Sequence, residues 1–161
     1  MPWINLTLRR GALPKPVQHA VMAKLTEVLM WWEKVPDTTN KDIAVAFYKK
    51  ALFEGQVEEA FRLYAVPTYR QHNPLMEDGM EGVKKFVTWI MSNHPDARGE
   101  IKHVFADGDY VILHSHWDGL SDNPRGEAVV DIFRLERGKV LEHWDVIQPV
   151  PETSANANTM F

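Results

Sequence analysis

Two aspartates and a histidine interrupt apolar, strand-like sequence in the last third of the chain: Asp131, His143 and Asp145. A carboxylate that faces a cavity is desolvated, which raises its pKa and suits it to proton transfer. The alternative for Asp131 is an outward-facing or salt-bridged side chain. We predict that Asp145, Asp131 and His143 are catalytic and move a proton in a pocket.

The turn between the two apolar segments decides whether these three side chains converge. A three-residue loop with Gly138 in the left-handed position places Asp131 opposite His143. Asp145 then lies on the same face. A two-residue loop instead pairs Asp131 with Trp144 and separates the three groups. We favour the three-residue loop, and therefore convergence.

Aromatic and polar side chains elsewhere in the chain are candidates for contacts with a substrate. Asn73 can hydrogen-bond a carbonyl or a water, and His72 can act as a base or pack against a helix. Trp117 is expected in the core or in the pocket wall. The residues that we assign to substrate binding are Tyr69, His72, Asn73, His116 and Trp117.

A possible metal motif is the His-x-His pair of His114 and His116, whose spacing metal sites use. A metal needs a third ligand, which His103 or Asp131 can supply in principle. A polar or interface role is the commoner use of two histidines on one strand face. We therefore predict no metal, and we predict no cofactor.

Composition excludes several classes of function. The 161 residues carry 18 basic and 22 acidic side chains, whereas nucleic-acid binding requires a basic face that displaces counterions. The absence of cysteine excludes disulfides, thiolate nucleophiles and iron–sulfur clusters. No apolar run reaches the roughly 18 residues of a membrane-spanning helix. We expect a cytoplasmic protein that binds neither nucleic acid nor a membrane.

Hydrophobic periodicity predicts the elements that position the candidate residues. At the start of the chain it predicts a strand over residues 3–8, a helix over 16–33 and a linker over 35–40. Three further helices follow: one opened by a Thr39–Asp42 capping box and ending at Gly55, a short one over 57–64, and one capped by Asp78 that ends before His94.

The rest of the chain predicts antiparallel strands over 100–106, 109–117, 127–135 and 140–148. Three helices packed on a curved antiparallel sheet form an α+β fold with a pocket between the two layers. The first segment is then a βα extension, so the predicted domains are residues 1–38 and 39–161. Both faces of the strands are apolar, which predicts a homodimer or higher homo-oligomer. The alternative is that the βα extension covers the second face.

Residues 40–161 closely resemble the SnoaL-like polyketide cyclases, specifically the aldol-condensation-type proteins, within the nuclear-transport-factor-2-like superfamily. Four stretches carry the resemblance: YRQHNP at 69–74, GDYVILHSHW at 108–117, VDIFRL at 130–135 and GKVLEHWDVIQPVP at 138–151. The resemblance implies the cone fold of that superfamily and dimerisation, with substrates that differ among members.

The same resemblance implies roles for individual residues. The acid/base aspartate of the cyclases corresponds to Asp145, and Asp131 stands where they place a second polar pocket residue. Ketosteroid isomerases of the superfamily have an oxyanion-stabilising aspartate in a stretch like that around Asp131. Their general base, however, corresponds to Asn73, and an amide does not accept a proton at neutral pH. The isomerase mechanism therefore does not transfer.

Residues 1–35 resemble the opening strand–helix unit of the 4-oxalocrotonate tautomerases, on Met1-Pro2, Gly11 and the helix to Trp32. That resemblance implies that loss of Met1 exposes Pro2 as a general base. Ala12 stands where the family has an arginine, and the second strand of the family is missing. We expect a packing or oligomerisation segment, with a separate site at Pro2 as the alternative.

Three hypotheses of function follow. The first, which we favour, is a cofactor-independent enzyme that moves protons next to a carbonyl of a small molecule, in aldol, cyclase, isomerase or dehydratase chemistry. The second is a non-catalytic ligand-binding or dimerisation module, in which Asp131 bonds Arg134 or Arg125 or side chains fill the pocket. The third is a tautomerase that acts through Pro2.

Overall fold

The computed structural model of the protein describes residues 37–161 and, before them, five single positions: Pro14, Val17, Ala20, Val21 and Lys24. The chain divides into two compact units, Met1–Lys34 and Val35–Phe161. The strand predicted over 3–8 and the Pro2 site lie outside the described residues, as does most of the helix predicted over 16–33. The fold below is that of the second unit.

Three helices form one layer: α1 over Asp37–Tyr48, which continues as a π-helical turn over Lys49–Phe53, α2 over Val57–Tyr64 and α3 over Gly79–Asn93. The predicted Thr39 cap is wrong, because a capping residue has a non-helical backbone and Thr39 lies inside α1. The Asp78 cap is confirmed: its carboxylate accepts a hydrogen bond from the backbone N–H of Gly79 at 3.1 Å.

Five strands form the second layer, in the order β1-β5-β4-β3-β2. They are β1 over Ala65–Gln71, β2 over Arg98–Asp107, β3 over Tyr110–Asp118, β4 over Glu127–Glu136 and β5 over Lys139–Pro149. The four predicted strands are confirmed. They pair antiparallel as predicted, and a fifth strand that was not predicted, β1, pairs with β5 in parallel. A proline in a sequence argues against a central strand. Pro67 is tolerated because β1 lies at the sheet edge.

The pairing of β4 with β5 matches neither of the two registers considered above. Arg137 and Gly138 both have positive φ, 52° and 73°, and form a two-residue hairpin turn. A bulge then follows, because Leu135 pairs with Val140 whereas the preceding residue of β4 skips one residue of β5. As a result Asp131 lies opposite Asp145, rather than opposite His143 as predicted.

The core fills the space between the helices and one face of the sheet. The Phe47 ring of α1 lies 5.3 Å from that of Phe61 and 5.9 Å from that of Phe133 in β4. Alternate residues of β3 and β4 face these helices. Among these inward positions Ser115, Glu127 and Asp131 are polar and buried.

No helix among the residues that the structure describes has the length and apolar character needed to cross a membrane.

Candidate active site

A pocket of about 570 Å³, counted to its open mouth, lies between the helices and the inward face of the sheet. Its wall is mainly apolar, with side chains from α1, α3 and the strands. The polar side chains that reach it are Tyr48, Tyr69, Gln71, Asp131, His143 and Asp145. The pocket therefore has a small polar centre inside an apolar enclosure, which is the usual composition of a small-molecule site.

Asp131 lies in the middle of β4 and is 3 % exposed. Its Oδ1 lies 3.0 Å from Nε2 of His143, and its Oδ2 is buried with no hydrogen-bond partner among the described residues. Burial raises the pKa of Asp131 above its ordinary value; the interactions with His143 and with the nearby Tyr48 hydroxyl oppose this shift, and the charge of Asp145 adds to it. This carboxyl is thereby suited to hold a proton.

His143 lies on β5, on the same sheet face as Asp131, and is 6 % exposed. Its Nε2 faces Asp131, while its Nδ1 lies 3.0 Å from Oε1 of Gln71. Gln71 occupies the matching position on β1, because the parallel register of β1 and β5 pairs these two residues. Both ring nitrogens of the imidazole are therefore engaged inside the protein.

Asp145 is the register partner of Asp131 and is held by Asn73, which follows β1. The Asn73 side-chain amide donates toward both carboxylate oxygens, at 2.9 and 2.8 Å. The backbone N–H of Leu75 donates to Asn73 Oδ1 at 2.8 Å, which fixes the orientation of that amide. These contacts orient the Asp145 carboxylate at the edge of the polar centre.

Two tyrosines complete the polar lining. Tyr48 accepts a hydrogen bond from Nε1 of Trp117 at 2.9 Å. Burial, with a contribution from the charge of Asp131, raises the pKa of Tyr48 well above its ordinary value, and the same two causes raise that of Tyr69. Both hydroxyls therefore remain protonated.

Three of the five residues assigned to substrate binding, His72, Asn73 and His116, do not line the pocket. His72 is exposed and stacks on Trp144 at 4.4 Å between ring centroids, with its Nε2 3.7 Å from Glu142. His116 lies on the opposite sheet face from Trp117, with Nε2 3.2 Å from the carbonyl oxygen of Arg125. Tyr69 and Trp117 do line the pocket, and Asn73 acts on it through Asp145.

The same outer face carries the His-x-His pair. Nδ1 of His114 lies 3.4 Å from Nδ1 of His103, and the ring of Phe161 stacks against His114. In the pocket, Asp131, His143 and Asp145 present oxygen and nitrogen atoms within 4.8 Å of one another, a spacing that could also hold a metal ion. Because Nε2 of His143 and Oδ1 of Asp131 already face each other at hydrogen-bond distance, we treat the group as a proton-binding cluster.

Sequence reasoning missed Gln71 and Tyr48. Gln71 is two residues from Asn73 and from Tyr69, and alternation along a strand would have placed it on the inward face with Tyr69. Tyr48 belongs to the apolar stripe of α1, where a tyrosine is usually a core residue. No sequence signal distinguishes it from one whose hydroxyl reaches a pocket.

Helices packed on a curved five-stranded mixed sheet, with a pocket between them, define the fold class of the nuclear-transport-factor-2-like proteins. The model of the SnoaL-like domain family matches residues 44–143, more than half of the chain. The chain therefore belongs to the SnoaL-like domain family. A comparison with curated proteins gives no match.

Solved structures with a similar fold come from several bacteria. TsrD from Streptomyces laurentii is 21% identical with a TM-score of 0.59, over 70% of this chain and 90% of that one. A candidate polyketide cyclase from Bacillus cereus ATCC 10987 is 22% identical with a TM-score of 0.60, over 68% and 74%. AclR, a candidate hydroxylase from Streptomyces galilaeus, is 20% identical with a TM-score of 0.56, over 70% and 90%. At these identities the likeness establishes the fold alone.

Proposed function

We propose that this protein is a cofactor-independent enzyme that transfers protons next to a carbonyl group of a small molecule, in aldol, cyclase, isomerase or dehydratase chemistry. One observation carries the proposal: Oδ2 of Asp131 is buried, without a partner among the described residues, in the pocket that also contains the Asp145 carboxylate. A buried polar atom without a hydrogen bond costs about 1–3 kcal/mol. An O–H group of the substrate, or of the enol formed from it, would supply the missing donor.

The two carboxyl groups take opposite roles in this proposal. Asp145, oriented by Asn73, accepts a proton from the carbon next to the substrate carbonyl. The electron pair of the broken C–H bond forms a carbon–carbon double bond, and the π pair of the carbonyl moves to its oxygen, which receives a proton from Asp131. The resulting enol either regains a proton at another carbon, which is isomerisation, or attacks a second carbonyl carbon, which forms an aldol bond.

The contacts of the neighbouring arginines favour this proposal over a non-catalytic module. Arg134 donates to Glu142 at 2.8 Å, and Nε of Arg125 lies 3.5 Å from the carbonyl oxygen of Val150. Neither arginine bonds Asp131, which was the arrangement expected of a module without catalysis. Relatives whose names include polyketide cyclase also support a carbonyl substrate.

The experiment combines a ligand screen with isotope exchange. A thermal-shift screen against carbonyl compounds identifies a ligand, and NMR in D₂O then follows replacement of its α-hydrogen by deuterium. We expect Asp145→Asn and Asp131→Asn each to slow the exchange at least about 100-fold, with melting temperatures near that of the unchanged protein. Asp122→Asn, in the exposed β3–β4 loop, is the matched control. Wild-type exchange rates in both site variants would refute the mechanism.

We also propose that the outer sheet face joins two copies of the chain. Large apolar side chains are exposed there: Phe105, Tyr110, Ile112 and Val146. Contiguous exposed apolar surface of this kind commonly marks an interface. Light scattering should give twice the 18.5 kDa chain mass, and Val146→Glu should lower it to that of one chain. A monomeric unchanged protein would refute this proposal.

A further inference from the structure

The side-chain amide of Gln71 links β1 to the acid cluster, and its neighbours fix its orientation. The backbone N–H of Asn73 donates to Oε1 of Gln71 at 3.0 Å. On the other side, Nε2 of Gln71 donates to the hydroxyl oxygen of Tyr69 at 3.2 Å. Reversing the amide would set its N–H donors against the N–H of Asn73. Oε1, which can only accept, is therefore the atom that faces His143.

This orientation determines which nitrogen of His143 carries a hydrogen. Nδ1 lies 3.0 Å from Oε1 of Gln71, and because Oε1 only accepts, Nδ1 must donate. Nε2 lies 3.0 Å from Oδ1 of Asp131. If Nε2 and the carboxylate were both unprotonated, two lone pairs would face each other at that distance. One proton must therefore lie between Nε2 and Asp131.

We propose that Gln71 is a positioning residue that holds His143 as the Nδ1–H donor, so that the bridge from His143 to Asp131 carries one proton. The bridge is then neutral overall. A second net negative charge there would face Asp145, the register partner of Asp131, in a mainly apolar pocket. The other titratable groups facing the bridge are the hydroxyls of Tyr48 and Tyr69. Only the use of this proton in catalysis rests on the proposed function; the tautomer does not.

The consequence for the site is that Asp131 and Asp145 take different roles. With Nδ1–H committed to Gln71, the proton between His143 and Asp131 cannot leave toward β1 and remains available to a substrate oxygen that approaches Asp131. Without the Gln71 carbonyl, His143 can shift its hydrogen to Nε2 and donate to an ionised Asp131. Giving up that proton would leave an imidazolate, so the bridge would no longer act as an acid.

The tautomer can be read directly from the ¹⁵N resonances of histidine in the substrate-free protein at neutral pH, with His143 assigned by its loss in His143→Leu. We expect Nδ1 of His143 to show the shift of a protonated nitrogen. Gln71→Leu removes the acceptor and should shift Nδ1 to the unprotonated range. Gln71→Glu, which keeps an acceptor oxygen, should restore the protonated signal. Gln148→Leu is the same change at an exposed position of β5 and should leave the signal unaltered.

Two outcomes would overturn the proposal: an unprotonated Nδ1 in the unchanged protein, or a His143 spectrum that is the same in Gln71→Leu. Both are measured without substrate, so they stand apart from failure of the proposed enzymatic function. In the deuterium-exchange assay, Gln71→Leu should in addition lower kcat about 100-fold, with KM changed little and with recovery in Gln71→Glu.

Discussion

Replacing His143 by leucine tests whether the contact between His143 and Asp131 compensates a buried carboxyl. The change fills the position in the pocket wall with an apolar side chain and removes the imidazole that lies 3.0 Å from Asp131 Oδ1. The side chains of both residues are below one tenth exposed, so solvent cannot replace the lost partner. Breaking a buried pair by removing one member costs about 3–5 kcal/mol, and we expect His143→Leu to lose this much stability at pH 7.

The same substitution in an Asp131→Asn background isolates the part of that cost that belongs to the charge. The introduced asparagine is neutral, and its amide can donate to Nε2 of an Nδ1–H imidazole, so Asp131→Asn alone should cost about 1 kcal/mol or less. Adding His143→Leu then leaves only an unpaired amide, at about 1–3 kcal/mol. The loss of unfolding free energy caused by His143→Leu should therefore be about 2 kcal/mol smaller in the Asp131→Asn background.

The dependence on pH has a definite sign. In His143→Leu, burial raises the folded-state pKa of Asp131 above the value of about 3.9 in an unfolded chain. The folded protein then binds a proton that the unfolded chain releases, so stability is fully present below about pH 4. It falls by about 1.4 kcal/mol per pH unit until the folded-state pKa is passed. The stability losses caused by His143→Leu in the two backgrounds should therefore become more similar as the pH falls toward 4.

Urea unfolding followed by tryptophan fluorescence measures all four proteins, and equal m-values show that their unfolded states are comparable. A cost of His143→Leu that is equal in both backgrounds at pH 7 would contradict this reasoning. So would a gap that does not change between pH 7 and pH 4. Either result would mean that the Asp131 carboxyl is not held by its contact with His143.

Three further substitutions probe the elements around the site. Tyr48→Phe should destabilise the protein by about 1–3 kcal/mol in urea unfolding, because the buried Nε1–H of Trp117 loses its acceptor at 2.9 Å; an unchanged stability would contradict this role. Gly82→Ala should lower the melting temperature through a loss of about 1–3 kcal/mol, since a Cβ at this position would lie 1.8 Å from the backbone oxygen of Glu77. Asp78→Ala should cost about 1 kcal/mol by removing the cap of α3, whereas Asp78→Asn should retain most of it.

The element types were predictable because the hydrophobic pattern of each segment is regular. β3 and β4 alternate inward and outward residues along their length, and the Asp78 cap has a direct sequence signature. The register of β4 and β5 was not predictable. The bulge that sets it involves Leu141, an ordinary strand residue, and no glycine or asparagine marks the place. The observed pairing results from a two-residue turn and a bulge that lie close together in the chain.

The candidate site shows both the use and the limit of strand alternation. Neighbouring residues of a strand point to opposite faces, so His116 and Trp117 could not both line one pocket. The prediction that assigned both to substrate binding had to fail for one of them, and inward Ser115 and Trp117 leave His116 outside. Asp131, His143 and Asp145 do share a face, although the pairing that brings them together is not the predicted one.

What separates the two aspartates chemically is the kind of partner that each one has. Asp145 accepts hydrogen bonds from the side-chain amide of Asn73, which orients the carboxylate. Asp131 meets an imidazole whose other nitrogen is committed to Gln71, so a proton must lie in its contact with His143. Both arrangements depend on Asn73, because its backbone N–H orients Gln71 while its side chain orients Asp145. In the proposed mechanism, this short segment distinguishes acid from base among two carboxyl groups that face each other across β4 and β5.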